Sequence, residues 1–150
     1  MSKEFGRLSD VSVRDAWADE AKNFTPWLAD NLDRIGEVIG LQLELIKAEA
    51  GLPTHDDYFS ADILARNTQD NSNILIENQL EMSDHRHLGQ ILTYLAGLEA
   101  KTVIWVASSF REAHLAAMKW LNESTAEEFS FFAVRARVVR IEDSRYAPLF

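Results

Sequence analysis

The fold is decided by three adjoining pieces of sequence: S-A-D-I-L-A-R (residues 60–66), N-T-Q-D-N-S-N (67–73) and I-L-I-E-N-Q-L-E (74–81). Two apolar runs flank a polar turn, a pattern that predicts two paired strands at about residues 58–66 and 73–81. The first predicted strand carries Asp62, and the second carries Glu77 and Gln79. Such a hairpin brings two carboxylates and an amide to one point.

Six further elements are predicted around this hairpin from apolar periodicity and capping residues. They are a helix that begins at Thr25–Pro26 and ends near Gly36 to Gly40, a strand at residues 41–46, a helix capped by Ser83 or Asp84, a buried strand at 102–107, a helix capped by Ser108 or Ser109, and a long alternating strand at 129–143. Residues 51–58 are predicted to form a loop because they are rich in Gly, Pro and Asp.

The order of these elements predicts an α/β fold with a mixed central β-sheet flanked by helices. A hairpin pairs its strands antiparallel, whereas a helical crossover between two strands favours parallel pairing. We expect residues 1–150 to form a single domain, in which residues 1–23 are an N-terminal arm that packs on the body.

Composition narrows the class of protein. The 150 residues are 47% hydrophobic and contain neither a membrane-length apolar run nor a signal-peptide pattern, so we expect a soluble cytoplasmic protein. Because there is no cysteine, a metal ion would be held by oxygen or imidazole. The net charge of −9 opposes tight, stand-alone binding to a polyanion. That charge reflects either plain solubility or an acidic site that needs a cation.

The predicted hairpin offers hard oxygen ligands. Asp62, Glu77 and the backbone carbonyl of Asn78 suit Mg²⁺ or Mn²⁺, which lower the pKa of a bound water and polarise a phosphodiester. Gln79 would lie on the same side and orient that water, but an amide cannot deprotonate it. The alternative, left open by spacing alone, is that the two carboxylates pair with Arg66 or Arg86.

The order of motifs resembles the PD-(D/E)XK nuclease superfamily. Asp62 is followed by Glu77-Asn78-Gln79 after a turn, and Q-I-L-T-Y (residues 90–94) is similar to the Q-x-x-x-Y element of its RecB-like branch. The phrases F-T-P-W-L-A-D-N-L, F-S-A-D-I-L-A-R, I-E-N-Q-L-E and D-H-R-H-L-G-Q-I-L-T-Y-L-A-G-L more closely resemble a bacterial family that carries the DUF4268 name. This resemblance covers nearly the whole chain and implies a restriction-endonuclease-like core.

The resemblance also implies roles for individual residues. Asp62 and Glu77 would be metal ligands, and Gln79 stands where most members have a lysine. Glu37, on the first predicted helix, matches the position from which some members add a further acidic ligand. Because a lysine would stabilise developing negative charge at phosphorus, an amide at Gln79 is the main departure from the pattern.

Substrate contacts are expected on the helix that follows the hairpin. By the resemblance, Gln90 and Tyr94 would lie at the edge of the site, near the substrate backbone. His85, Arg86 and His87 begin that helix, where a phosphate is favoured, and would contact a backbone phosphate or help to protonate the leaving group. A capped, solvated helix start is the alternative.

The function implied is a Mg²⁺- or Mn²⁺-dependent nuclease that hydrolyses DNA phosphodiester bonds, in bacterial defence or restriction. RNA remains open as a substrate. Double-strand cutters of this fold usually act as symmetric dimers, but the sequence leaves the oligomeric state open, with a homodimer as one option. The alternative function is a nuclease-fold module without catalysis that serves in binding or dimerisation. Related chains continue past A-P-L-F (residues 147–150), which implies a C-terminal region that is missing or supplied by another chain.

The remaining notable residues are assigned to the surface or to the core. His55 and His114 lack an acidic or histidine partner at a recognisable spacing and are expected on the surface. Trp105 and Trp120 fall at apolar positions and are expected in the core. The last predicted strand carries three arginines, for which a charged, half-exposed edge is favoured over a phosphate-facing stripe: Arg135, Arg137 and Arg140.

Overall fold

A computed structural model describes residues 2–53 and 58–150. The helices are α1 (Val13–Ala16), α2 (Thr25–Ala29), α3 (Leu32–Ile39), α4 (His85–Gly97) and α5 (Glu112–Ser124), with a short π-helix at Glu20–Phe24. The strands are β1 (Leu8–Val11), β2 (Leu43–Pro53), β3 (Tyr58–Asn67), β4 (Asn73–Met82), β5 (Ala100–Ser109), β6 (Ser130–Arg135), β7 (Arg137–Ile141) and β8 (Ala147–Leu149). No helix in these ranges is long and apolar enough to cross a membrane.

A five-stranded mixed sheet forms the body, with the strand order β2-β3-β4-β5-β6. Strands β2, β3 and β4 are antiparallel neighbours, and β4, β5 and β6 are parallel through the crossover helices α4 and α5. The predicted α/β architecture with a mixed sheet flanked by helices is therefore confirmed.

The core lies on both faces of the sheet, so its central strands are buried on two sides. One face packs Phe24, Leu28 and Ile35 against Ile63 and Ile76. On the opposite face, the side chains of Leu75 and Trp105 pack with Ile91 of α4 and Met118 of α5. The continuous apolar run of β5 is buried as predicted, because a central strand of a covered sheet has no face toward water.

Trp120 does not lie in the core: 63% of it is exposed. Residues 114, 118 and 121 follow the helical repeat that turns toward the sheet, and the first two are buried. Trp120 lies on another face of α5, so the prediction that it packs in the core is wrong. The prediction for Trp105, which is fully buried, is confirmed.

The predicted first helix is divided into α2 and α3. Asn31 makes the break, with its backbone N–H donated to the carbonyl of Leu28 and its side-chain amide to that of Trp27. Gly40 ends α3 in the left-handed conformation, with φ of 74°, which a glycine adopts without strain. The end of the helix was therefore predicted and its interruption was not.

The strand predicted at residues 41–46 continues to Pro53, through part of the predicted loop. A register shift between Leu45 and Lys47 interrupts the alternation, which hides the longer strand from a search for period-2 pattern. Of the predicted loop, residues 54–57 lie outside the described residues.

The long strand predicted at residues 129–143 is two strands in two sheets. At Ala136 the backbone N–H is donated to the carbonyl of Ala107, and the chain then leaves the large sheet. Strand β7 is the middle strand of a small antiparallel sheet with the order β1-β7-β8. Arg137 and Arg140 therefore lie on a central strand rather than on the predicted edge, where Arg137 contacts Asp10 at 2.7 Å and Arg140 lies over the ring of Tyr146.

The N-terminal segment, predicted as an irregular arm, contributes β1, α1 and the π-helix. Its Trp17 and Phe24 are buried, and their rings lie 4.7 Å apart, centroid to centroid, in an edge-on arrangement. The first 24 residues thus supply part of the core, and the π-helix at their end contacts β4.

We predict that Phe24→Ala lowers the free energy of unfolding by about 3–5 kcal/mol, since it removes a fully buried aromatic side chain. Phe5→Ala is the matched control, because Phe5 is 88% exposed and its loss should change stability by less than about 0.5 kcal/mol. Urea denaturation followed by tryptophan fluorescence measures both. Equal effects of the two substitutions would contradict the placement of Phe24.

Candidate active site

The candidate site forms where β3 and β4 separate. Their regular pairing ends at Ile63 and Ile76, and the next contacts are made by carboxylates. The backbone N–H of Asn78 is donated to Oδ2 of Asp62 at 2.8 Å, and the backbone N–H of Asp62 is donated to Oε1 of Glu77 at 3.1 Å. Each acidic side chain thus accepts the N–H that the neighbouring strand leaves free.

The two acids are poorly solvated. Glu77 is only 4% exposed and Asp62 is half-buried. Burial is the main reason that the pKa of each carboxyl is raised, and the negative charge of Asp62 raises that of Glu77 further. The hydrogen bond from Asn78 acts in the opposite direction on Asp62 without cancelling the effect of burial. The pair is therefore costly to ionise fully unless a cation joins it.

The alternative pairing with arginine is wrong for the described part of the chain. There, neither Asp62 nor Glu77 forms an ion pair with Arg66 or Arg86. In residues 2–53 and 58–150, neither carboxylate forms an ion pair with a lysine or an arginine.

Glu20 is a third acidic residue beside the pair. Its Oε1 accepts the backbone N–H of Leu80 at 2.6 Å, and its negative charge raises the pKa of both Asp62 and Glu77. It is the first residue of the π-helix. No sequence signal marked it, because its position depends on how the N-terminal segment packs on the end of β4.

Glu37, which the resemblance implied as the further acid, is not brought to the pair. It is exposed on α3 and lines a surface cavity of about 340 Å³ with Asp33, Leu41 and Gln42 among others. The buried face of α3 carries Ile35 instead. Helical phase therefore turns Glu37 away from the core side.

Asn78 contributes differently through its backbone and its side chain. On a strand the N–H and C=O of one residue point to the same side, so its carbonyl shares the side on which its N–H meets Asp62. Its side-chain Nδ2 is donated to Oγ1 of Thr25 at 3.0 Å, and the buried Oδ1 accepts no hydrogen bond. Only the backbone carbonyl is thus oriented as the sequence interpretation requires.

Gln79 connects the end of β4 to the start of α4. Its Nε2 is donated to the carbonyl of Met82 and to Oδ2 of Asp84, both at 2.9 Å. The side chain is 1% exposed, and its Oε1 is buried without a hydrogen-bond partner. The amide nitrogen is therefore engaged in the β4–α4 connection, and only the oxygen remains to accept a hydrogen bond from water.

Helix α4 presents the residues expected to contact substrate. Asp84 is its N-cap, and Oδ1 of Asp84 accepts both the backbone N–H and ring Nδ1 of His87 at 2.8 Å. His87, Gln90 and Tyr94 are spaced three and four residues apart, so they share one face of the helix. All three are half-buried, whereas Arg86 is exposed.

His114 is buried, which contradicts its expected surface position. It is 2% exposed, its Nδ1 lies 2.6 Å from Oγ of Ser83, and its Nε2 lies 2.7 Å from Nδ1 of His85. Oγ of Ser83 also accepts the backbone N–H of Arg111. Burial lowers the pKa of His114, assisted by the charges of His85 and Arg111. His55, the other histidine assigned to the surface, lies outside the described residues.

The donor set fits a divalent cation only with help from water. Between residues 2–53 and 58–150, no three His, Asp or Glu side chains converge closely enough to hold a metal by themselves. Mg²⁺ is commonly held by one or two carboxylates, with water and substrate phosphate completing its shell. Asp62, Glu77 and the Asn78 carbonyl would supply only part of such a shell, and water would have to complete it.

Comparisons with protein-family models, with curated proteins and with solved structures find no match to this chain.

We predict that the metal-free protein loses stability as pH rises from 4.5, the ordinary pKa of a glutamate, towards the value of about 9 to which the folded protein raises Glu77. In this window folded Glu77 retains a proton that the unfolded chain releases, so Glu77 alone lowers the free energy of unfolding by up to about 1.4 kcal/mol per pH unit. Urea denaturation at several pH values measures the slope.

Glu77→Gln is the variant that tests this slope, since the amide keeps the size of the side chain and does not titrate. Its stability should vary less with pH than that of the wild type. A matched control is Glu81→Gln, on the same strand but with an exposed carboxylate. Parallel curves for wild type and Glu77→Gln would refute the buried carboxyl pair.

Proposed function

We propose that this chain is a metal-dependent nuclease that hydrolyses phosphodiester bonds of DNA. The observation that carries the proposal is the Asp62–Glu77 pair, held by reciprocal hydrogen bonds at the end of the β3–β4 pairing. Among the described residues, neither acid forms an ion pair with a basic side chain. DNA as the substrate, the restriction-endonuclease-like core and a role in bacterial defence rest on the resemblance of the motifs. We further propose that the protein acts as a homodimer in the cytoplasm.

Asp62, Glu77 and the carbonyl of Asn78 would hold Mg²⁺ or Mn²⁺. Such a cation supplies positive charge at the phosphoryl group and lowers the pKa of a bound water. The two carboxyl groups must lose their protons to bind it, so their raised pKa values couple metal binding to pH. Glu20 adds negative charge beside the pair, the part that the resemblance assigned to Glu37.

Gln79 would orient the attacking water through its unpartnered Oε1. His85, Arg86 and His87 at the start of α4 lie where backbone N–H groups and the helix dipole favour a phosphate. Gln90 follows His87 on the same face, and Tyr94 lies one turn further on. We propose that this face of α4 contacts the phosphate backbone of the substrate.

A second candidate function is binding without catalysis, in a module of the same fold. It is favoured by the position of Gln79, where an amide nitrogen is engaged with Met82 and Asp84 and no lysine is present. Under this function the carboxyl pair would be a structural remnant, or the catalytic partner would be another chain.

We predict that Mg²⁺ raises the melting temperature of the wild-type protein. A ligand that binds only the folded state stabilises it by RT ln(1 + [L]/Kd), about 2.7 kcal/mol at 100 times Kd. Asp62→Asn should abolish the shift, whereas Glu81→Gln should retain it because that side chain is exposed and lies outside the pair. Differential scanning fluorimetry with Mg²⁺ and Mn²⁺ at a pH above the raised pKa of Asp62 makes the measurement.

We predict that the protein cleaves supercoiled plasmid or linear single-stranded DNA when Mg²⁺ or Mn²⁺ is present. Glu77→Gln should reduce the rate by about 10³-fold, since loss of the cation removes several kcal/mol of charge stabilisation. Parallel reactions with single-stranded RNA test the substrate class.

A folded wild-type protein that binds Mg²⁺ but cuts no nucleic acid would favour the binding module. Cleavage of equal rate in wild type and Glu77→Gln would mean that the proposed site is wrong, and that a different site or a contaminant is responsible.

A further inference from the structure

We propose that His87, held by Asp84, donates the proton to the leaving 3′-oxygen. It would also supply the positive charge that a lysine in place of Gln79 would provide. The inference rests on the proposed function and deepens it by assigning the proton donor of that same site. It is carried by the Gln79–Asp84–His87 chain of hydrogen bonds, which links β4 to the first turn of α4.

Asp84 holds His87 through two contacts to one oxygen, one from the backbone and one from the ring. Oδ1 of Asp84 accepts the backbone N–H and ring Nδ1 of His87, each at 2.8 Å. Its other oxygen accepts Nε2 of Gln79 at 2.9 Å. Although burial acts to raise it, the pKa of Asp84 is lowered by these hydrogen bonds, chiefly those from His87, so the carboxylate is charged at neutral pH.

These contacts determine which ring nitrogen exchanges a proton. A carboxylate can only accept a hydrogen bond, so Nδ1 of His87 carries the proton and the ring is oriented by it. Nε2 is left to gain and lose a proton, as in a histidine whose orientation is set by an aspartate. The side chain of His87 is 24% exposed, so it is held by packing and still reached from outside.

The ring lies within electrostatic range of Asp62. A positive charge on His87 lowers the pKa of Asp62, against the stronger effect of burial. His87 also shares a helix face with Gln90 and Tyr94, where the proposed substrate backbone would pass. The ring is therefore tied to the end of β4 through Asp84 and Gln79, and it lies on the helix face that carries the proposed substrate contacts.

The other buried histidine chain gives a contrast. Nδ1 of His114 pairs with Oγ of Ser83, and Nε2 of His114 pairs with Nδ1 of His85. His85 thus has an imidazole, and not a carboxylate, at its Nδ1. Within the described chain, His87 is the histidine whose Nδ1 is paired with a carboxylate.

The step balances as follows. One water attacks phosphorus and loses a proton to solvent, while the bond from phosphorus to the 3′-oxygen breaks and its electron pair stays on that oxygen. His87, protonated on both nitrogens, gives its Nε2 proton to the oxygen and is left neutral with Nδ1–H still donated to Asp84. It then takes a proton from solvent. No oxidant or further reactant is needed.

The first test compares two substrates of the Mg²⁺-loaded protein. His87→Gln should slow DNA cleavage by about 10²–10⁴-fold, the usual contribution of a general acid. On thymidine 5′-(p-nitrophenyl phosphate), whose p-nitrophenolate leaves without a proton, the same variant should stay within about threefold of wild type. Glu77→Gln should lose activity on both substrates. Lys119→Gln, an exposed substitution on α5, should keep both.

The second test is rescue. Gln79→Lys in the His87→Gln background should restore DNA cleavage at least about tenfold, because a lysine ammonium can donate to Met82 and Asp84 and still supply the charge. Asp84→Ser keeps an N-cap oxygen but cannot reach the His87 ring, so it should reproduce the substrate-selective loss. A uniform loss on both substrates would indicate a purely structural role for Asp84 and His87 and would overturn the inference.

The third test needs no activity. Long-range ¹H–¹⁵N spectra of the histidine rings should show neutral His87 protonated at Nδ1, with the signal assigned by its absence from His87→Gln. Asp84→Ser should shift His87 toward the Nε2–H form. An Nε2–H form in the wild type, or DNA cleavage unchanged by His87→Gln, would contradict the inference about His87 and leave the proposed function standing. Failure of the wild-type protein to cleave DNA would contradict both the inference and the proposed function.

Discussion

The exchange of hydrogen bonds between Asp62 and the Glu77–Asn78 segment determines the rest of the candidate site. Beyond Ile63 and Ile76 the two strands no longer pair with each other, so their backbone N–H groups need other acceptors in a region largely closed to water. The carboxylates accept them, and in doing so are drawn into the protein interior. The hydrogen bonds to the unpaired backbone N–H groups and the concentration of negative charge therefore have one cause, which is the separation of β3 from β4.

That separation follows from the strands' other partners. β3 continues along β2 as far as Tyr58, while β4 continues along β5 as far as Met82. The Glu20 carboxylate accepts the N–H of Leu80 further along the opened edge, so the N-terminal segment closes what the hairpin leaves open. An acidic edge of this kind is stable with a proton on one member of the pair or with a cation beside it, and the two states exchange with pH.

Gln79 shows how a departure from a motif is absorbed by its surroundings. Its amide donates to Asp84, which caps α4 and accepts a hydrogen bond from the His87 ring, so Gln79 and His87 are linked through one carboxylate. The same side chain thus has a structural part in the β4–α4 connection and, through its free oxygen, a place near the proposed water.

The sequence by itself determined the strand–turn–strand unit, the buried strand at Trp105, the helix capped by Asp84 and the mixed α/β sheet. The apolar periodicity of each strand or helix, and the turn or capping residues at its ends, are local features of the sequence. It also placed Asp62 and Glu77 together, since a hairpin with a short turn leaves few registers for two acidic residues. What it missed depends on contacts between distant segments: the break of the last strand at Ala136, the burial of His114 against Ser83, and the approach of Glu20 rather than Glu37. Tertiary packing alone decides these, because the acceptor of an N–H, or the partner of a ring nitrogen, is set by which segment folds against it and leaves no period in the sequence.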